Sequence, residues 1–524
     1  MMTQGKAMSP ATSIESHQES KFHERYHLFV FSFLAVLLQL IPNLLGGYGY
    51  FIDEWYYMAC ARRLAFGYVD HPPLAPVLLG GVMWFAGSSL VAIRILPALA
   101  GGAIVFLTGT MAREFGGKSL AQRVAALCAM ISPGILVACG FFSVNAFEIL
   151  FWVLCSYLFL LVLKTGDPAR WVIFGLIFGI GLQNKHTMVL LGLGLAVGML
   201  LTPARKHFSQ REFWFGAAVA FLIILPNLIW QVMNGWPSLE FYANATLYKN
   251  LDTPPLKVFL GQIILQNPCA FPVCVSGVVY LLFSKGGERF RAIGWAFVAL
   301  LILMLVSQTS RPDRITGVYP IIFAAGGVGL ETFIRNRRKQ WLKPALLVFL
   351  LAGGLLLAPI ALPVLPPDVL ATYCEAVGVV PEIERGKTSP LPQWFADRFD
   401  WDSFVSTVVD IYSRLPAEDK KRAVIFAPSY GHAGALEYYG PGLPRVISNH
   451  NSYYLWCAGN ANAEVLLAIG ANPADLRTVY AQVDSVGIIR GTYGMSWRND
   501  MRVHLGKTPT VPLNDVWSRV KHYE

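Results

Sequence analysis

Eleven apolar runs occupy most of the first 363 residues: 27–47, 90–110, 121–142, 146–163, 171–184, 187–202, 213–232, 258–283, 292–308, 317–334 and 343–363. A helix needs about 20 apolar residues to cross about 30 Å of hydrocarbon, and lipid tolerates no unpaired backbone polar group. The pattern therefore predicts a polytopic α-helical membrane domain. Composition agrees, since 14% of the 524 residues are charged and 55% are hydrophobic. A soluble domain carries about a quarter charged residues. The net charge of +10 does not mark a nucleic-acid partner, because the basic residues lie in short clusters between apolar runs. Orientation in a bilayer explains such clusters.

Placing the amino terminus inside gives nineteen Lys and Arg in inner loops and eight in outer loops, in accord with the positive-inside rule. Residues 1–25 are polar and Ser-rich and are expected to form a disordered cytoplasmic tail. Residues 26–363 form the membrane domain, with a large outer loop at 48–89. An odd number of spans leaves the carboxyl end outside a plasma membrane. Pro363-Val-Leu-Pro-Pro367 ends the last run, and 364–524 reads as a soluble, extracytoplasmic α/β domain. Strands are expected at Ala423–Ala427, Val483–Arg490 and Met501–Leu505. Cys128, Cys139, Cys155, Cys269 and Cys274 sit in or beside apolar runs as small hydrophobes; Cys60, Cys374 and Cys457 lie outside them, and all eight are read as unpaired thiols.

Candidate chemistry gathers in the outer loop. Asp53 and Glu54 follow the first span within Tyr48-Gly-Tyr-Phe-Ile-Asp-Glu-Trp-Tyr-Tyr57, among aromatic side chains that favour a membrane–water boundary. Carboxylates there lose hydration, which raises their pKa and suits them to general-base work near neutrality. The bland alternative is a pair of solvated acids that happen to follow a helix. Lys185 stands between two apolar runs, where a cation is costly unless it has a task or snorkels to water. Asp70-His71-Pro72-Pro73 is a stiffened segment in which Asp70 either serves a site or caps the next helix.

Taken together these pieces resemble the GT-C glycosyltransferases, specifically the bacterial branch of family 39, which includes protein O-mannosyltransferases and lipid A aminoarabinose transferases. The matching segments are Ile52-Asp-Glu-Trp-Tyr-Tyr57, Gly67-Tyr-Val-Asp-His-Pro-Pro-Leu74, Ser143-Val-Asn-Ala-Phe-Glu-Ile-Leu-Phe-Trp152, Gly181-Leu-Gln-Asn-Lys-His-Thr187, Pro226-Asn-Leu-Ile-Trp-Gln231, Asn234-Gly-Trp-Pro237, Arg311-Pro312 with Tyr319-Pro320, and Tyr430–Gly440. Where relatives carry an aromatic pair after Arg311-Pro312, this chain has Asp313-Arg314.

The resemblance implies transfer of a sugar from a polyprenyl-phosphate donor to an acceptor hydroxyl of a lipid, protein or glycan on the extracytoplasmic face, with inversion. It implies Asp53 as base. Glu54, whose side chain lies about 100° from that of Asp53 on a helix, is left to orientation or acceptor contact. The donor phosphate falls to Lys185 and Arg311, with Arg62 and Arg63 as alternatives. Asp70, His71, Tyr56 and Tyr57 are assigned to sugar or acceptor contact or to ordering the loop, and Asn145 with Glu148 to completing the site. Asp53, Glu54 and Glu148 could hold a divalent ion through oxygens, but no metal or cofactor is expected, nor is nucleic acid. In the terminal domain, Tyr430–Leu436 and the amide- and aromatic-rich Pro444–Trp456 either face the cavity or form a scaffold. The rival reading is a transporter or flippase for a lipid-linked sugar. Transporters place their polar sites near the midplane between repeats, whereas here no half-repeat is visible and the acids lie at one surface.

Overall fold

The computed structural model describes residues 10–307, 311–378, 384 and 389–524, with side chains from residue 26 onward. Each of the eleven apolar runs is helical. Seven helices are long and apolar enough to cross a membrane unbroken: Tyr26–Leu45, Leu90–Glu114, Val144–Thr165, Arg211–Met233, Glu288–Val306, Pro312–Asn336 and Leu342–Ala361. Three further runs are broken, and counting each bent pair as one span gives ten. The breaks turn the chain by 57° between Ser119–Met130 and Pro133–Cys139, by 113° between Met188–Leu200 and Pro203–Ser209, and by 90° between Pro255–Leu265 and Pro268–Phe283. A proline opens the second helix of each pair, which locates the break, because proline cannot continue the preceding hydrogen-bond ladder. The eleventh run is the 13-residue helix Arg170–Leu182. It lies tightly against Arg211–Met233: a Cβ on Gly175 would come within 2.0 Å of the Gly216 carbonyl oxygen. Small residues let helix backbones meet this way where no hydrophobic force separates helix from lipid. The first helix runs Pro10–Leu45, so the tail expected to be disordered has a helical backbone from Pro10 on, and residues 1–9 lie outside the described residues.

The terminal region carries five strands: β1 (Ala423–Phe426), β2 (Val446–Ile447), β3 (Val465–Ile469), β4 (Tyr480–Ile489) and β5 (Met501–Pro509), ordered β2-β1-β3-β5-β4. β1 runs parallel to β2 and β3, while β5 is antiparallel to β3 and β4. The sequence expectation found β1, β4 and β5. It passed over β3, a wholly buried Val-Leu-Leu-Ala-Ile run that shows no alternation because both its faces are covered.

The outer loop is not a flap over the membrane domain. Its helix Ile52–Arg62 packs against Tyr430–Tyr439 of the terminal domain, and both belong to one hydrophobic core with β1, β3 and β5. Two glycines make this contact possible. A Cβ on Gly431 would stand 2.2 Å from Ile52 Cγ1, and one on Gly434 would stand 2.7 Å from the Trp55 carbonyl oxygen. Gly431–Gly434, in the first turn of the helix that follows β1, therefore makes a close helix–helix contact.

Candidate active site

Loops from the membrane helices and the terminal domain meet at one end of the bundle. Leu74 donates its N–H to the Gln183 carbonyl at 2.9 Å, Asn227 Nδ2 donates to the Phe66 carbonyl at 2.9 Å, and His186 bridges Asn227 and Tyr242 at 3.0 Å each. Into this junction projects the first turn of Ile52–Arg62, and there the two adjacent acids part company.

Glu54 is sealed, with 0% exposure. Its carboxylate accepts from Arg94 Nε at 2.8 Å and Nη2 at 2.6 Å, and from the backbone N–H groups of Phe51 and Phe142, each at 2.8 Å. Arg94, itself buried, also donates to Asn43 Oδ1 and the Gly49 carbonyl, both at 2.9 Å. A planar guanidinium and a carboxylate with all its lone pairs used form a clamp. Glu54 has no free edge for an acceptor; of its expected roles, orientation is the one this geometry allows. Asn43 Oδ1 also accepts from Arg398 of the terminal region at 2.9 Å, so the clamp ties the first two spans, the loop and the terminal domain together.

Asp53 points the other way and is half-buried. Its Oδ1 accepts a hydrogen bond from the Tyr430 hydroxyl at 2.8 Å. Burial pushes its pKa up to about 6, against the downward pull of the Tyr430 hydrogen bond and of Lys249, with Asp70 and Glu384 adding to the rise. Burial and the charge of Asp53 hold the Tyr430 phenol well above its usual range, so it remains a donor. Lys249 pairs with Glu384 at 3.2 Å. Desolvation would lower its pKa, but Glu384 and Asp53 outweigh that and keep it above the ordinary lysine value.

The cations expected to meet a phosphate divide into three groups. Lys185 donates to Glu148 Oε2 at 2.6 Å and to Asn145 Oδ1 at 2.8 Å, and Thr187 donates to the other Glu148 oxygen. Asn145, Glu148 and Lys185 are thus assembled as one cluster, but its lysine is already neutralised. Arg311 forms a two-pronged pair with Asp313 at 3.1 and 3.0 Å. Arg62 and Arg63 face the terminal domain instead. Arg62 lies over the Tyr438 ring at 4.6 Å, and Arg63 pairs with Glu437 at 2.7 and 3.0 Å while lying over Trp456 at 4.8 Å. Their charges are thus spent on the terminal domain, about a quarter-turn or more of helix away from the Asp53 face. Arg314, which the sequence reading counted only as an outer-loop charge, makes no ion pair or side-chain hydrogen bond with any described residue.

Asp70 and Tyr56 are joined: the Tyr56 hydroxyl donates to Asp70 Oδ1 at 2.8 Å and lies 2.7 Å from Ser452 Oγ. His71 is 1% exposed, bonded through Nδ1 to the Pro72 carbonyl at 2.9 Å and packed against the Tyr57 and Tyr68 rings at 4.9 and 4.8 Å. It orders the loop and has no surface left for a sugar. Tyr57 is likewise buried. Tyr430 begins the segment that the sequence offered to the cavity, whereas Lys249 and Arg94 are residues that the sequence did not single out. Only Arg94 carried a local signal, as a charge four residues into the apolar run that begins at Leu90.

This geometry can be set beside known proteins. Residues 70–230 match the dolichyl-phosphate-mannose-protein mannosyltransferase family. Over 91% of its length the chain follows the backbone of ArnT from Cupriavidus metallidurans in its apo state, covering 97% of that chain with a TM-score of 0.62 at 14% identity. The chain has the ArnT fold. ArnT bound to undecaprenyl phosphate gives a TM-score of 0.60 with the same coverage. By sequence, the chain is 21% identical over 264 residues to a lipid A galacturonosyltransferase, RgtD, of Rhizobium johnstonii, covering 50% of this chain and 55% of that one. It is 27% identical over 254 residues to a polyprenol-phosphate-mannose–protein mannosyltransferase of Corynebacterium glutamicum, covering 42% of this chain and 47% of that one. The chain thus spans about half the length of these curated relatives. Among its described residues no three of His, Cys, Asp and Glu converge in a metal-holding group, and all eight cysteines are free.

Proposed function

We propose that this protein is a membrane glycosyltransferase that moves a sugar from a polyprenyl-phosphate donor to an acceptor hydroxyl at the extracytoplasmic face of the plasma membrane, with Asp53 as general base. One observation carries the reading: a half-buried carboxylate, raised to about 6 and aimed by Tyr430, stands within electrostatic reach of Lys249 and Arg311, with Arg314 in turn close to Arg311. Near neutrality such a carboxylate is ionised yet basic enough to take a proton as the acceptor attacks. The bond from the anomeric carbon to the phosphate oxygen breaks as the acceptor oxygen bonds to that carbon, and the phosphate leaves as a monoester. Its growing charge needs cations and no strong acid.

Arg314, with no ion pair among the described residues, and Lys249, whose pair with Glu384 is 3.2 Å long, are the first candidates to receive that phosphate, with Arg311 released from Asp313 as it arrives. Lys185, held more tightly by Glu148 at 2.6 Å, keeps Glu148 and Asn145 in place. Asp70, fixed by Tyr56, is placed to meet a sugar or acceptor hydroxyl. The relatives' activities and the undecaprenyl phosphate seen on ArnT support this chemistry by kinship. The test is transfer by the purified protein from labelled undecaprenyl-phosphate mannose and undecaprenyl-phosphate galacturonic acid to envelope lipid and protein fractions. Wild type transfers from one of them and Asp53→Asn does not. Equal rates in the two proteins would end the base role.

A further inference from the structure

The last residues of the chain are held in the fold with unusual completeness. The Asn451 N–H donates to the His522 carbonyl at 2.8 Å, and the His522 N–H returns to the Asn449 carbonyl at 3.1 Å. The Asn451 side chain brackets Glu524, donating to its main-chain oxygen at 3.2 Å and accepting from its N–H at 3.1 Å. His450 Nε2 lies 3.0 Å from the same oxygen. Tyr523 is buried against Tyr454, with ring centroids 5.6 Å apart.

Asn451 adopts φ 47° and ψ −132°, a conformation that residues with a side chain avoid. Strain of this kind persists only where the surroundings over-determine it, and it gathers at functional positions. Here it lets one buried residue use its main chain and its amide on the same segment.

That segment reaches two elements of the site. On one side Lys521 pairs with Glu240 at 2.7 Å, and Asn244 Nδ2 donates to the Tyr523 carbonyl at 2.9 Å. Both contacts hold the helix Pro237–Asn244, which runs directly into the turn bearing Lys249. On the other side the His450 ring packs on the Tyr430 ring at 4.6 Å, and Tyr430 donates to Asp53. Ser452, next to Asn451, meets Tyr56 and the Val69 N–H.

We propose that Lys521–Glu524, gripped by Asn451, is a positioning strap that fixes the Tyr430–Asp53 pair and the Lys249-bearing turn in one geometry. The proposal rests on the reading of Asp53 as base, and its tests separate the two. Asn451→Gly accepts the positive φ and so keeps the fold, but it removes the bracket. Slackening the strap loosens the Tyr430 hydrogen bond, whose effect on Asp53 is to lower its pKa. Asp53 also faces Lys249, whose loosened turn shifts the limb in the same direction, and Arg311 as cations, Asp70, Glu384 and Asp397 as acids, and the Tyr57 phenol; apart from Lys249, the substitution touches none of them.

The expected result for Asn451→Gly is an acid limb of the transfer rate displaced upward by about one pH unit, with thermal stability near wild type. Lys521→Glu is expected to lower kcat about two- to fivefold with little change in KM for the donor, the range that exposed ion pairs command. Lys521→Glu with Glu240→Lys restores the rate. A wild-type acid limb in Asn451→Gly, or no rescue in the double variant, overturns the strap while Asp53→Asn is inactive. If Asp53→Asn proves active, the base reading fails instead. Hydrogen exchange at 237–250 then decides the strap by itself: faster exchange in Lys521→Glu supports it, and unchanged exchange overturns it.

Discussion

Asp53 and Glu54 are neighbours with opposite duties, and substituting each by its amide exposes the difference. Glu54→Gln keeps the shape but discharges the carboxylate bonded to Arg94, whose guanidinium shares Asn43 Oδ1 with that of Arg398. It also turns one acceptor oxygen into a donor facing both Arg94 and a backbone N–H. Breaking one partner out of a buried ion pair costs about 3–5 kcal/mol, because the remaining charge stays buried and unpaired. At about 2–4 °C per kcal/mol for large domains, Glu54→Gln should lower the unfolding midpoint by roughly 6–20 °C. Asp53→Asn should behave in the reverse way. Because its folded pKa is raised to about 6, the folded state binds the proton more tightly than the unfolded chain. Stability therefore falls as pH rises from the ordinary carboxyl range through about 6, and the amide removes that loss. The assay is thermal unfolding of detergent-solubilised protein across that pH window, paired with sugar transfer by each variant. The expected pattern is an unstable Glu54→Gln, and an Asp53→Asn that is stable and inactive. A Glu54→Gln protein that unfolds at the wild-type temperature but transfers no sugar would refute the division and put Glu54 in the chemistry.

Tyr430→Phe removes the hydrogen bond that favours ionised Asp53. A bond to a charged group is worth about 1.5–3 kcal/mol, or about 1–2 pKa units, so the acid limb should move up by that much while activity recovers at alkaline pH. An unmoved limb would show that the phenol does not act on the carboxylate. Arg314→Gln should raise KM for the polyprenyl-phosphate donor about tenfold or more, the scale of one charge-assisted contact, with unfolding unchanged because no internal partner is lost. Donor saturation curves test this. Gly434→Ala forces a Cβ to within 2.7 Å of the Trp55 carbonyl oxygen, backbone that cannot swing aside. A loss of about 1–3 kcal/mol is expected, read as a lower midpoint and easier proteolysis between the terminal domain and the loop.

Much of the architecture was legible without coordinates. The partition of apolar runs between water and hydrocarbon is a local property, so the positions of the membrane helices, the change of composition after Pro363 and the aromatic setting of Asp53 could be read from the chain itself. The failures were of a different kind. Three runs proved to be bent pairs, because hydropathy does not register a break in the hydrogen-bond ladder. β3 was missed because a strand covered on both faces has no period to detect.

Side-chain roles depended on partners distant in the sequence. Asp53 and Tyr430 are 377 residues apart, and Arg63 and Glu437 are 374 apart. Glu54 was sealed by an arginine from the second span, Lys185 was neutralised by a glutamate of Val144–Thr165, and Arg314 was left without an ion pair among the described residues. The sequence by itself determined where carboxylates and cations enter the boundary between lipid and water, since that follows from which segments water rejects. Only the tertiary structure decided which of those charges cancel and which stay available. Electrostatic pairing acts over a few ångströms between groups that the fold, and not their order in the chain, brings together.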